Sequence, residues 1–289
     1  MNPAKSRSYG SLETRCGLDP EKMHAYEAAL VRNVKDKVVC DIGTGPGILA
    51  YIALKAGAKK VYCIEDNEES INTAKLNLKE FGDRAVFIQK DAGIISYPED
   101  IEYTIHEVLG SLVYDENILR IAKALHKSNL LRTVAPKYYE MFTYRLETKA
   151  EEGRFVYDIN KYPPLTQEFH NEFEKNFPGV IEVHCTLGDA KAEMVDVNVF
   201  HTWSMLDPIE TWGTAPRSVL EKFRNKEVYI GWRAYLEPDL YFGNYPREGN
   251  NWIWNVTFQH SFAKRFLNQI KLVEDIQNPF REETCPFLK

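Results

Sequence analysis

Cysteine is scarce in this sequence and sits where it cannot build a framework. Cys16, Cys40, Cys63, Cys185 and Cys285 are odd in number and form no Cys-x-x-Cys pair, so neither a metal site nor a set of disulfides is expected. Long apolar runs are also missing. No stretch approaches the roughly 18 residues of a spanning helix, and Met1 to Gly10 carries Lys5 and Arg7 without the apolar core of a signal peptide. These absences lead to the expectation of a cytoplasmic protein with reduced thiols and no membrane contact. Basic charge is not in excess either: 36 Lys and Arg stand against 42 Asp and Glu, a net charge of -6, with none of the basic stripe that marks a nucleic-acid surface. An acidic balance suits a cationic ligand, and it equally serves solubility alone. There is no internal repeat and no low-complexity segment.

What remains is an ordinary globular composition, 44% apolar and 27% charged over 289 residues, long enough for two domains. From Asp36 to about Leu146 short apolar runs alternate with helix-like stretches. Val38 to Ile42, Val61 to Ile64, Ala85 to Gln89 and Tyr103 to His106 read as buried strands, with helices over Ile48 to Lys55 and about Glu68 to Phe81. That rhythm predicts an α/β domain with a doubly wound parallel sheet, given the bounds 1–148. Over 149–289 the texture turns to β-rich segments, Val180 to Thr186, Met194 to Trp203, Val228 to Leu236 and Trp252 to Phe262. Turns are signalled by Asp207-Pro208, Glu237-Pro238 and Gly249-Asn250, and an antiparallel β-unit is expected there. The polar, aromatic stretch Asp158 to Phe177 reads as a helix or an arm.

Two segments carry chemistry. The first is Asp41-Ile-Gly43-Thr-Gly45-Pro-Gly47, a strand end followed by a glycine turn and a helix, where the backbone can approach a ligand closely. Glu65 ends the next strand, where a carboxylate can accept both hydroxyls of an adenosine ribose. Pro46 in the turn and Asp41 before it suit a dinucleotide poorly and place a carboxylate near the ammonium of a methionine moiety. The Asp-x-Gly-x-Gly-x-Gly order resembles motif I of the Rossmann-like methyltransferases, and Lys90-Asp91-Ala92 resembles their adenine-contact motif; S-adenosyl-L-methionine is the cofactor this implies.

The second segment is His106-Glu107-Val-Leu-Gly110-Ser-Leu-Val-Tyr-Asp115-Glu116, which starts at a predicted strand end on the ligand-binding rim. Two glutamates with Gly110 between them suit a clamp for a cation. A guanidinium stays charged in proteins, the methyl donor is a cation too, and paired carboxylates offset that repulsion while fixing a planar group by bidentate hydrogen bonds. The same residues also read as a solvated loop opening a surface helix, with Glu116 favourable near its N-terminus.

The segment resembles the double-glutamate loop of the protein arginine N-methyltransferase family, its Glu-x-Leu-Gly-Ser form at Glu107 to Ser111 being closest to the symmetric-dimethylating branch. His106 stands where that family usually has serine. Asp19-Pro-Glu-Lys22-Met-His-Ala-Tyr26-Glu-Ala-Ala-Leu30 is similar to the family's N-terminal helix. The resemblance implies that Lys22 meets the cofactor carboxylate, that Tyr26 packs beside the site, and that Tyr9 stands in for an aromatic N-terminal motif. A plain amphipathic helix explains Met23, Tyr26 and Leu30 equally well.

By the same resemblance, a β-barrel-like domain follows the Rossmann-like one. Asn251 and Trp252 take the place of the family's Thr-His-Trp loop and contact the acceptor, with His201-Thr202-Trp203 as the lesser candidate. The implied catalytic pair is Glu107 and Glu116. The implied cofactor set is Lys22, Tyr26, Asp41, Gly43, Gly45, Glu65 and Asp91. The acceptor is an arginine-containing protein, a peptide or a small guanidino molecule, and the protein is a homodimer. Two alternatives stay open: methylation of a different small acceptor, and a catalytically silent partner subunit.

Overall fold

The computed structural model describes residues 20–109, 113, 116–147, 183–184, 193–216, 229–245, 255–257 and 271–273. The chain divides into two compact units, Met1–Glu107 with Ala124–Ala135, and Val108–Lys123 with Pro136–Lys289.

The first unit opens with α1 (Pro20–Asn33), where proline at the first helical position forfeits no hydrogen bond. Its buried stripe is Ala25, Tyr26, Ala29 and Leu30. Five strands follow: β1 (Val38–Ile42), β2 (Lys60–Glu65), β3 (Ala85–Gln89), β4 (Tyr103–His106) and β5 (Val134–Ala135), all parallel, in the order β3-β2-β1-β4-β5. β1 is buried at every position, as a central strand covered on both faces must be. Helix α2 (Ile48–Lys55) leaves the glycine turn, and α3 (Glu68–Asn77) begins at Asn67, whose side chain accepts from the Ser70 amide at 2.9 Å. The helix expected to reach Phe81 stops at Asn77. A 3-10 stretch, Lys79–Arg84, succeeds it and is broken at Gly82, whose φ of 54° no helix tolerates. Helix α4 (Ile118–Lys127), assigned to the second unit up to Lys123 and to the first from Ala124, buries Ile118, Ile121, Ala122 and Leu125 at helical spacing.

Strand order reverses beside β1, between its neighbours β2 and β4, and in such sheets the crevice at the carboxyl ends of the strands at that point receives the ligand. The α/β expectation holds, with β5 added. Two residues without period or length gave β5 no signal in the sequence.

The second unit is built on an antiparallel sheet of β6 (Tyr138–Glu147), β7 (Val183–His184), β8 (Glu193–Ser204), β10 (Tyr229–Glu237), β11 (Leu240–Asn244) and β12 (Asn255–Thr257). The order is β7-β12-β10-β6-β8, with β11 on β10. A short parallel pair joins β9 (Thr214–Pro216) to β13 (Lys271–Val273). β6 lies before position 148, the bound expected for the first domain, yet it pairs along its length with β8 and β10. Aromatic side chains dominate the core: Tyr139 stacks on Trp203 at 4.9 Å, and Phe142, Tyr144 and Tyr245 form a buried cluster. Within it Glu140, 2% exposed, accepts from Tyr235 Oη at 2.8 Å and from Arg233 Nη1 at 3.4 Å. The Arg233 guanidinium lies over the Phe142 and Tyr245 rings at 4.8 and 5.2 Å.

Candidate functional site

Strand register brings the cofactor candidates of the first unit together. Ile42 pairs with Ile64 on one side and with His106 on the other, so the glycine turn after β1 has Glu65 at one flank and Glu107 at the other. The turn is bent back over β2: the amides of Gly43 and Thr44 both donate to the Ile64 carbonyl, at 2.9 and 3.0 Å. Gly43, Gly45 and Gly47 all take positive φ, 66°, 52° and 89°. At Gly47 the requirement is double, because an added Cβ would also come within 3.1 Å of Leu78 and 3.3 Å of Ala74.

Glu65 is preset. Its Oε2 accepts from the Gly45 amide at 3.0 Å and its Oε1 from the Asn67 amide at 2.9 Å, so both oxygens are aimed by backbone and each keeps lone-pair capacity for a hydroxyl. Burial raises its carboxyl above the ordinary range, opposed by those two amides. Asp91 follows β3, and its Oδ1 accepts from the Gly93 amide at 2.7 Å. The Lys90 amide ties this segment to the Glu65 carbonyl at 3.0 Å.

Asp41 is placed under the turn, 1% exposed. Its Oδ2 accepts from Thr44 Oγ1 at 2.6 Å and from the Ala50 amide at 3.1 Å, bracing the turn on the first residues of α2. Oδ1 is buried with no hydrogen-bond partner among the described residues. An orphaned carboxylate oxygen at a ligand rim fits a cationic donor such as an ammonium. Burial pushes the Asp41 carboxyl up to about 7, against the lowering by Thr44 and Ala50, and nearby Glu65 adds to the rise.

A value raised above the ordinary 3.8 means that stability from this group is complete below pH 4 and is lost as pH climbs through about 7. Asp41→Asn keeps an acceptor for Thr44 and Ala50 but cannot ionise. Its stability relative to the wild type is therefore expected to improve between pH 5 and pH 8, by on the order of a few kcal/mol, in ligand-free denaturation titrations. A constant gap across that range would show that Asp41 does not titrate there.

Lys22 and Tyr26, one helical turn apart on α1, reach the end of β4. Tyr26 is 0% exposed and its hydroxyl donates to the His106 carbonyl at 2.7 Å. It fixes the helix to the strand end beside the glycine turn. Lys22 Nζ donates to Glu107 Oε1 at 2.9 Å. The sequence reading missed this pair, although the spacing of Lys22 and Tyr26 on one face was the available signal. It also missed Thr44, the partner that shapes Asp41.

Glu116, in the second unit, is exposed and is followed by Asn117 at a φ of 64°. Asn251, Trp252, Tyr9, Gly110, Ser111 and the stretch 158–177 lie outside the described residues. His201 and Trp203 belong to β8 and are 6% and 2% exposed, and Trp203 is stacked on Tyr139, so this tripeptide is core strand and no acceptor loop. Burial lowers the His201 imidazole to about 4, which keeps it neutral.

A family model described as ribosomal protein L11 methyltransferase (PrmA) fits residues 23–101, a range that takes in the glycine turn and Glu65 and ends before Glu107. The chain is 28% identical over 169 residues to the histone-arginine methyltransferase CARMER of Anopheles gambiae, covering 56% of this chain and 27% of that protein. It is 33% identical over 114 residues to the protein arginine N-methyltransferase PRMT10 of Oryza sativa subsp. japonica, covering 38% of this chain and 30% of that protein. The chain thus spans less than a third of the length of these curated relatives. In fold it is similar to the Trypanosoma brucei PRMT1 enzyme-prozyme heterotetrameric complex with AdoHcy, at a TM-score of 0.60 and 18% identity over 87% of this chain and 82% of that one. In sequence over part of their length, and in fold, the chain is thus similar to protein arginine methyltransferases.

Proposed function

We propose that the protein is an S-adenosylmethionine-dependent N-methyltransferase acting on a guanidino nitrogen of an arginine-type acceptor. The observation that carries the reading is the flanking of one glycine turn by two carboxylates of different preparation. Glu65 is aimed by two backbone amides, and Glu107 stands on the β4 exit at the switch point of the sheet. The first suits a ribose diol and the second a cation. S-adenosylmethionine, when bound, supplies an electrophilic methyl group on a cationic sulfur. Glu65 holds the ribose, Asp41 Oδ1 offers an acceptor for the ammonium, and Asp91 lines the adenine side. Glu107, with Glu116 nine positions later as the second carboxylate that the family resemblance implies, would fix the guanidinium and gather its charge toward the bound nitrogens, leaving the third nitrogen the better nucleophile.

Support comes from the relatives, two of which are named for arginine methylation, and from the AdoHcy held by a protein of the same fold. Protein-bound arginine is the first acceptor to try, in a cytoplasmic homodimer. The deciding experiment offers labelled S-adenosylmethionine together with free arginine, an arginine-glycine-rich peptide and a lysine peptide. Mass spectrometry is expected to find methyl on guanidinium only, and methyl on lysine or on none of the three, with the cofactor bound, would reject the acceptor assignment.

Glu65→Ala is expected to weaken S-adenosylhomocysteine binding by roughly 1 to 3 kcal/mol, the range for losing hydrogen bonds to a charged group. Calorimetry checks it, and an unchanged dissociation constant would remove Glu65 from the ribose.

A further inference from the structure

Asp41 is an acid buried without a counter-ion. It is 1% exposed, and Thr44 Oγ1 and the Ala50 amide both donate to the same oxygen, Oδ2, at 2.6 and 3.1 Å. Oδ1 is buried too and, among the described residues, accepts from nothing. The elements packed around it bring no positive charge. Its register partners are Cys63 on β2 and Ile105 on β4, and Cys40 precedes it on β1. Burial keeps both thiols protonated. The first turn of α2, Ile48 to Tyr51, has no charged side chain. His106 stands opposite Ile42, and Lys22 on α1 is bonded to Glu107. The charge that bears on Asp41 is that of another carboxylate, Glu65.

A carboxylate taken out of water with no cation beside it takes up a proton instead. Burial accordingly pushes the Asp41 carboxyl up to about 7, Glu65 adds to the rise, and the two donors on Oδ2 oppose it. A cation at Oδ1 reverses the balance, because opposite charge at close range favours the ionised form.

We infer that in mildly acidic solution the empty protein holds Asp41 as the neutral acid, and that a ligand bringing an ammonium to Oδ1 expels that proton, so that cofactor occupancy senses pH through this one residue. The O–H bond of the carboxyl breaks, its electron pair stays on the carboxylate, and the proton passes to solvent. The ammonium keeps its own protons and becomes the counter-ion. The inference rests on the proposed function, because an amino-acid-bearing nucleoside is what supplies the ammonium. The sign follows from the empty site having the higher pKa: affinity is complete above it and is lost as pH falls through about 7.

The test counts protons. Calorimetric titrations in two buffers of different ionisation enthalpy, at pH 6 and at pH 8, are run with S-adenosylhomocysteine and with 5′-methylthioadenosine, which has the ribose but no amino-acid tail. Subtracting the second ligand removes any proton that Glu65 gives up to a ribose. The excess released by S-adenosylhomocysteine is expected to be about one proton at pH 6 and close to none at pH 8, with binding about tenfold weaker at pH 6. D41N, which cannot ionise, is expected to release no excess proton and to bind S-adenosylhomocysteine equally at both values.

Equal proton release by the two ligands at pH 6 overturns the coupling and leaves the methyltransferase reading standing. An excess that persists in D41N overturns it as well, since another group would then supply the proton. A wild type that binds neither nucleoside overturns both readings. The wild-type comparison decides the matter even if D41N fails to fold.

Discussion

Glu116→Gln is expected to lower methyl transfer by at least about a hundredfold while leaving S-adenosylhomocysteine affinity within about twofold of the wild type. Glutamine keeps the shape of the side chain and one acceptor oxygen, but it removes the charge. A guanidinium approaching a cationic methyl donor needs that charge at the transition state more than in the ground state, which is where a rate effect originates. Glu116 is exposed, so the substitution is expected to cost little in folding, within about 0.5 kcal/mol. It also lies outside the unit that holds Asp41, Gly43, Gly45 and Glu65, the reason for expecting the nucleoside to bind as before. Single-turnover rates with saturating cofactor make the comparison. Full activity in the variant would sink the glutamate clamp and favour another acceptor chemistry.

Gly243→Ala is expected to be strongly destabilising. A Cβ there would collide with the Trp232 carbonyl oxygen and lie 2.6 Å from the Tyr245 ring. The carbonyl belongs to β10, the strand on which β11 lies, and it cannot swing aside without breaking the hairpin. Overpacking of this kind costs about 3 kcal/mol, the upper part of its usual range. The fitting control is Gly82→Ala, where an added Cβ meets nothing within 4 Å and only the φ of +54° is disturbed. With ψ at −133° the residue lies outside the left-handed helical region, and about 1 to 3 kcal/mol is expected from that strain alone. Denaturant titrations measure both losses, and a loss well below about 3 kcal/mol at Gly243 would mean that the hairpin yields there.

The parallel sheet was legible because its strands are short apolar runs set between turn signals, and burial on both faces writes itself into composition. The turn formed by Gly43 and Gly45 between Asp41 and Glu65 was legible for a related reason: a backbone that takes positive φ at successive positions admits few residue types. Lys22 with Glu107 was not. That pair joins a helix to a strand end 85 positions later, and periodicity reports which face of an element is buried without saying what it meets. Tyr26 shows the same limit from the other side, its apolar position correctly marked and its hydroxyl's partner, a main-chain carbonyl, invisible in any pattern of side chains. β6 escaped because its sequence, Tyr-Tyr-Glu-Met-Phe-Thr-Tyr-Arg-Leu-Glu, continues the texture of the strands before it, and only its partners, β8 and β10, assign it to the other sheet.

The Glu140 and Arg233 pair has a consequence for synthesis. The two residues stand directly opposite in the register of β6 and β10 and are separated by 93 positions of chain. At roughly 5 to 20 residues per second, a nascent β6 waits on the order of five to twenty seconds before the strand that completes it has even been made. During that interval its aromatic face is uncovered. When β10 does arrive, a slip by one residue would turn Arg233 to the opposite face and leave Glu140 buried without its cation. The ion pair therefore acts as a checkpoint on a late and long-range pairing, penalising each wrong alignment before the surrounding aromatic rings can close over it.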